Sequence, residues 1–163
     1  MRNIVLIVFI ILSMGVFSSS DNSSINKLEE QQLNETIHLL RVEAEQLEKT
    51  KVIMSIIEAV ITIESGGDLL AFNAKEEAVG VLQIRPIMLR EVNRLVGYCK
   101  YKYDDRWNKT KSIQMFIDYQ NHVNPNWNPE LAAKKWNGGI NGEMKASTTS
   151  YWYKVKRVLS KNK

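Results

Sequence analysis

A chain of 163 residues, 44% apolar and 25% charged, is long enough to close one hydrophobic core and too apolar to be disordered throughout. Its single cysteine, Cys99, excludes a disulfide scaffold and any cysteine-only zinc site, and two separated histidines, His38 and His122, offer no His-rich metal site, so a structural metal is not expected. The formal charge of +4 averages opposed regions: residues 19–50 carry three basic and seven acidic side chains, residues 106–163 eleven basic and three acidic.

Met1-Arg2-Asn3 leads into an apolar run from Ile4 to Phe17, broken only by Ser13 and Gly15, and then into Ser18-Ser19-Ser20-Asp21. The run falls short of the ~20 residues a spanning helix needs and suits the hydrophobic centre of a secretory signal. Residues 1–18 are therefore read as a signal peptide cut before Ser19, with an uncleaved N-terminal anchor as the alternative, and the protein as exported to the periplasm or cell envelope. Residues 19–24 read as a polar tether. Over 25–50, Leu33, Ile37, Leu40, Ala44 and Leu47 recur in alternating steps of four and three, the mark of an amphipathic helix. Two heptads are too few for a sustained coiled coil, so packing on its own domain is favoured over a dimer zipper, and the segment is a candidate contact for an envelope partner.

From Lys51 the pattern changes. Val52, Ile53, Met54, Ile56, Ile57, Ala59, Val60, Ile61 and Ile63 leave almost no polar face, which predicts a buried helix ending at Gly66-Gly67. Residues 68–84 suggest a small extended or hairpin region. A helix follows from Pro86 to Gly97, then a polar, aromatic-containing loop from Tyr98 to Lys109. Three further helices are expected: Ser112 to about His122, Asn128-Pro129 to Asn137, and Thr149 to about Ser160 with Trp152, Val155, Val158 and Leu159 inward. The fold class is mainly α with one small β or loop insert after a buried helix.

Three pieces of this chain carry candidate chemistry. On a helical wheel Glu64 lies opposite Ser55 and in line with Ile53, Ile57, Val60 and Ile61. A carboxyl held against aliphatic side chains loses hydration, which raises its pKa and suits it to general acid catalysis; alternatively, the helix frays and Glu64 meets water. Gly80-Val81-Leu82-Gln83 sets an amide beside a glycine that a ligand can approach closely, or is merely a turn with a surface glutamine. Trp136-Asn137-Gly138-Gly139 offers an aromatic plane, an amide and two glycines, or a core tryptophan before a helix cap.

In their order and spacing, Glu64-Ser65-Gly66-Gly67-Asp68-Leu69-Leu70-Ala71-Phe72-Asn73, Gly80-Val81-Leu82-Gln83-Ile84 and Lys135-Trp136-Asn137-Gly138-Gly139 resemble the soluble lytic transglycosylase (SLT) domain of the lysozyme-like superfamily, over residues 51–160. The resemblance implies a lysozyme-like (α+β) domain in which Glu64 is the catalytic acid and base. It implies substrate contacts from Ser65, Gln83, Trp136, Asn137 and Gly138, and Tyr151 corresponds loosely to a tyrosine the family often keeps near its glutamate. Three positions depart from the family pattern: Glu77 stands where glycine is usual, Leu82 replaces Met, and Trp136 replaces Tyr. An indole N–H donates but never accepts, so Trp136 changes substrate detail rather than fold.

The implied reaction is non-hydrolytic cleavage of the β-1,4 link between N-acetylmuramic acid and N-acetylglucosamine, leaving a 1,6-anhydro-muramoyl end. One carboxyl suffices, because the nucleophile is the muramoyl 6-hydroxyl of the substrate itself. No partner carboxylate is obvious. A hydrolytic lysozyme on the same fold would want Asp68, Asp104 or Asp105 to position a water, and a non-catalytic glycan-binding envelope protein would keep the groove alone. The reaction so implied needs no metal or organic cofactor, and the expected partner is peptidoglycan. No nucleic acid is expected, since the chain lacks a nucleic-acid motif, and a membrane only if the N-terminal segment stays uncleaved. The basic end, either a solvated helical surface or a polymer contact, would then meet the carboxylates of the wall.

Overall fold

A computed structural model of the protein describes residues 22–161, so the proposed signal peptide lies outside the described residues, as does the first half of the tether. Helix α1 runs from Asn22 to Glu64, 43 residues without a break, and begins inside the segment read as tether. The sequence pattern divides this stretch into an amphipathic helix and a buried one near Lys51. The two are one helix because 22–64 contains neither glycine nor proline, and nothing stops the first. The chain nevertheless divides between Gln46 and Leu47 into two compact units.

In the first unit the heptad-spaced residues lie at the surface: Leu28, Leu33 and Leu40 are about half exposed. In the second unit α1 behaves as its composition demands, with Ile56, Ile57, Ala59 and Val60 fully buried while Glu58 and Thr62 face out. Each such isoleucine stabilises the fold by about 2 kcal/mol. The helix closes at Gly66 and Gly67, whose φ of 64° and 91° glycine alone adopts without strain.

A minimal antiparallel sheet follows, β1 (Phe72–Asn73) and β2 (Ala78–Val79), with Phe72 opposite Val79 and Asn73 opposite Ala78. Val79 also pairs with Ile84 around a tight turn. This is the extended insert expected after the buried helix.

Helix α2 (Pro86–Val96) starts on its proline and ends at Gly97 in the left-handed conformation, burying Met88, Leu89 and Val92. The segment 98–108 is more ordered than a loop, since Tyr103–Trp107 form a 3-10 helix with Arg106 buried. Helix α3 (Lys109–Val123) begins three residues before the expected Ser112, because the Asn108 side chain accepts from the Lys111 backbone N–H and caps it there. Helix α4 (Pro129–Gly138) is capped in the same way by Asn128 through Leu131. A 3-10 turn at Gly142–Met144 leads to α5 (Ser147–Lys161). On α5, Val155 is fully buried and Trp152, Val158 and Leu159 partly so, as the periodicity predicts; Tyr151 is buried as well.

The core of the second unit gathers Leu82, Val92, Met115, Phe116, Tyr119 and Val155 around the C-terminal turns of α1. The fold is thus mainly helical with one two-stranded sheet. Among the described residues no helix is long and apolar enough to cross a membrane, and no three His, Cys, Asp or Glu side chains converge as a metal site.

Candidate active site

Glu64 ends α1 on the side of Ile57 and Val60 and lines a cleft of about 340 Å³ with Asn73, Glu76, Gln83, Arg85, Trp136 and Asn137. The helix does not fray before it. The carboxyl is only partly exposed, and its Oε1 accepts a 2.7 Å hydrogen bond from the Tyr151 hydroxyl. Burial is the largest influence on its acidity and pushes the pKa up; the Tyr151 bond and the Arg85 charge pull it down, and the Glu76 charge raises it again. The net direction is upward. Burial, together with the neighbouring Glu64 charge, likewise holds the Tyr151 phenol well above its ordinary range, so it remains a donor.

One wall of the cleft is the hairpin segment 68–84, and hydrogen bonds hold it. Gln83 donates from Nε2 to the carbonyls of Ala71 and Gly80, each at 3.0 Å. Ser65 donates to the Val81 carbonyl at 2.8 Å and accepts from the Gly67 N–H at 3.1 Å, tying the end of α1 to the turn. Arg106 is the anchor. Fully buried, it donates from Nη1 to the carbonyls of Glu77 and Ile84 and from Nε to that of Tyr103, all at 2.9 Å, with its guanidinium 3.9 Å from the centre of the Tyr103 ring. Gly80 must lack a side chain, since a Cβ would stand 2.5 Å from the Arg106 carbonyl oxygen. Glu77 and Gln83 both take positive φ, 51° and 46°, a conformation that costs a side-chain-bearing residue ~1 kcal/mol.

The opposite wall is helical. Trp136 is buried edge-on to Phe116, with ring centres 4.8 Å apart, and to Tyr119 at 5.9 Å, yet it also lines the cleft. Trp136 is thus a core tryptophan whose remaining exposed edge borders the cleft. Gly138 lies so close to α5 that a Cβ would come within 2.6 Å of Thr148 Cγ2. That close approach lets Tyr151, three residues beyond Thr148, reach Glu64.

The residues singled out from the sequence thus gather unevenly. Glu64, Gln83, Trp136 and Asn137 line one cleft, Tyr151 touches it through Glu64, and Gly138 lines a neighbouring cleft. Ser65, expected at the substrate, lines neither cleft and instead spends its hydroxyl on the turn. Asp68, Asp104 and Asp105 do not line the cleft either; Asp68 caps Leu70, and Asp105 pairs with Lys111 at 2.6 Å.

Two charged cleft residues escaped the sequence reading, Glu76 and Arg85. Glu76 is the second carboxylate there, one that was not obvious from the sequence. Arg85 lies 3.6 Å from Glu76 and donates to the Asn137 carbonyl at 3.2 Å, joining the two walls. No spacing rule marks either one, because a charged turn and an arginine before a helix are ordinary surface features in a sequence.

Comparison with known protein families bears on this geometry. The model of the family described as "Transglycosylase SLT domain" matches residues 41–159, which include every cleft residue named above. Searches of curated proteins and of solved structures gave no significant match. Proteins with this domain act on peptidoglycan in the cell envelope. With nearly three quarters of its length matched, the chain belongs to the transglycosylase SLT domain family of the lysozyme-like superfamily, and its function is of the peptidoglycan-directed, lytic transglycosylase type.

Proposed function

We propose that this protein is an exported lytic transglycosylase that cuts the β-1,4 bond between N-acetylmuramic acid and N-acetylglucosamine and leaves a 1,6-anhydro-muramoyl end. The observation that carries the proposal is Glu64, a carboxyl with an upward-shifted pKa in a cleft of saccharide-binding size and polarity. With Oε1 occupied by the Tyr151 hydroxyl, the acidic proton belongs on Oε2. From there it passes to the glycosidic oxygen as the bond to the anomeric carbon breaks. The carboxylate so formed takes the proton of the muramoyl 6-hydroxyl, whose oxygen bonds to the anomeric carbon, and Glu64 returns to its acid form. Gln83, Trp136, Asn137 and Gly138 act as substrate contacts, Tyr151 as the group that orients Glu64, and Ser65 as a positioning residue.

In this reading residues 51–160 form the catalytic domain, residues 1–18 direct export, and the exposed leucines of 25–50 are available to an envelope partner. Removing the proton donor costs the full acid-base contribution. Glu64→Gln is expected to lower turnover of purified peptidoglycan by about a thousandfold, within the range for general acid-base groups. Activity equal to the parent's would refute the assignment.

Glu76 favours one second reading, hydrolysis. If this carboxylate activates water, the products carry a reducing muramoyl end one water heavier than the anhydro form. Mass analysis of the released fragments separates the two, and Glu76→Gln would abolish the heavier product alone.

A further inference from the structure

The N-terminal part of α1 holds an apolar stripe at the surface. Leu33, Ile37, Leu40 and Leu47 are 58%, 38%, 45% and 56% exposed, and Ala44 completes their alternating steps of four and three. This is the spacing at which two helices interlock side by side. The same helix runs without a break into the buried turns of Ile56, Ile57, Ala59 and Val60, so the stripe extends a helix that is already nucleated.

The charges beside the stripe select its occupant. Leu33, Leu40 and Leu47 take heptad position d, and Ile37 and Ala44 position a; Lys27, Asn34, Arg41 and Glu48 then form the e flank, and Glu29, Thr36, Glu43 and Thr50 the g flank. Two copies paired in parallel set each g against the e of the next heptad. Glu43 then meets Glu48 of the second copy, twice by symmetry, and no opposite charges offset the repulsion. Antiparallel copies set e against e and g against g. With Leu33 facing Ala44 and Ile37 facing Leu40 of the second copy, four consecutive layers are apolar, and the flanks bring Lys27 against Glu48 twice with no like charges opposed. A slip of one heptad in one direction opposes Arg41 to Arg41 and Glu43 to Glu43. A slip in the other opposes Lys27 to Arg41 and Glu29 to Glu43. Glu48 remains able to accept, since Lys51 holds only its Oε1, in an exposed contact within the helix at 2.7 Å.

We propose that the protein self-associates as an antiparallel dimer through residues 27–48 of α1, in the register that sets Leu33 on Ala44, Ile37 on Leu40 and Lys27 on Glu48 of the second copy. None of these residues lines the Glu64 cleft, so the pairing stands or falls independently of the catalytic assignment.

The test is sedimentation of the purified chain from about 1 to 200 μM at low salt, where mass action draws a short pairing with a Kd of about 10 μM from monomer to dimer. Ile37→Glu and, independently, Leu40→Glu are expected to weaken the dimer by more than about twentyfold, since each puts two carboxylates into the apolar layers; melting profiles that match the parent's establish that the variants fold. Lys27→Glu and Glu48→Lys are each expected to raise the Kd about fivefold by opposing like charges, and the two together to return it to within about twofold of the parent's. A parent that stays monomeric throughout the range overturns the proposal and leaves the stripe to an envelope protein or a lipid surface. A dimer indifferent to Ile37→Glu and Leu40→Glu overturns it as well. A dimer tightened by Glu48→Lys, which relieves the Glu43–Glu48 clash of the parallel arrangement, overturns the antiparallel register.

Discussion

The hairpin wall of the cleft, residues 68–84, stands on hydrogen bonds, while the helical wall, residues 129–151, stands on packing. A single buried guanidinium holds three carbonyls around the hairpin. Trp136, by contrast, is held by ring contacts with Phe116 and Tyr119. The sheet of two-residue strands is too small to hold itself, so directional bonds replace core. Packing tolerates changes of shape, whereas a hydrogen-bond anchor does not, and the two walls should respond differently to conservative substitution.

The largest effect expected on stability comes from the helical wall: Trp136→Ala loses about 4 kcal/mol, and Trp136→Phe recovers most of it, because burial is non-directional. On the hairpin wall, Arg106→Met loses about 3 kcal/mol by leaving carbonyls without donors, and Arg106→Lys recovers little, since an ammonium cannot reproduce the planar fork. Denaturant titration of the four variants reads both contrasts. If lysine rescued position 106 as well as phenylalanine rescues position 136, the distinction between the walls would fail.

The walls also act on Glu64 in opposite senses. The proposed reaction starts from the protonated acid, so activity is full below the Glu64 pKa and falls as pH rises through it. Tyr151→Phe removes a bond that lowers that pKa, and the falling limb moves to higher pH; Glu76→Gln removes a charge that raises it, and the limb moves to lower pH. A pH profile of kcat/KM for each variant gives the sign, and shifts in one direction for both would contradict this electrostatic account. The same raised pKa makes the parent's stability decline as pH rises from the ordinary glutamate range through the raised value, because the folded state binds the proton more tightly. The smallest effect belongs to Glu77, a side chain held at φ 51°. Glu77→Gly is expected to raise stability by at most about 1 kcal/mol in thermal melting, relief of backbone strain being offset in part by the freedom glycine gains when unfolded.

Much of the helical frame was legible in advance because local rules govern it. Pro86 and Gly97 bracket α2, Asn128 caps α4, and the inward face of α5 follows its periodicity. Asn108 is the same kind of signal and was hidden only by its position at the end of an aromatic-rich stretch. The single helix 22–64 shows the limit of pattern reading: a change from amphipathic to all-apolar marks a change of surroundings, not an end of the helix.

By itself the sequence determined that a carboxyl sits on the apolar side of a buried helix, that a small extended insert follows, and that Gln83 and Trp136-Asn137 belong to the same constellation. Periodicity, capping and the family motifs are properties of neighbouring residues, and they are written along the chain. Only the tertiary structure decided that Ser65 turns to Val81, that Arg106 carries the hairpin, that Glu76 and Arg85 enter the cleft, and that the hydroxyl of Tyr151, 87 residues away, bonds to Glu64. These are contacts between groups distant in the chain. Their formation depends on directions and on a few tenths of an ångström, which packing settles and no local pattern encodes.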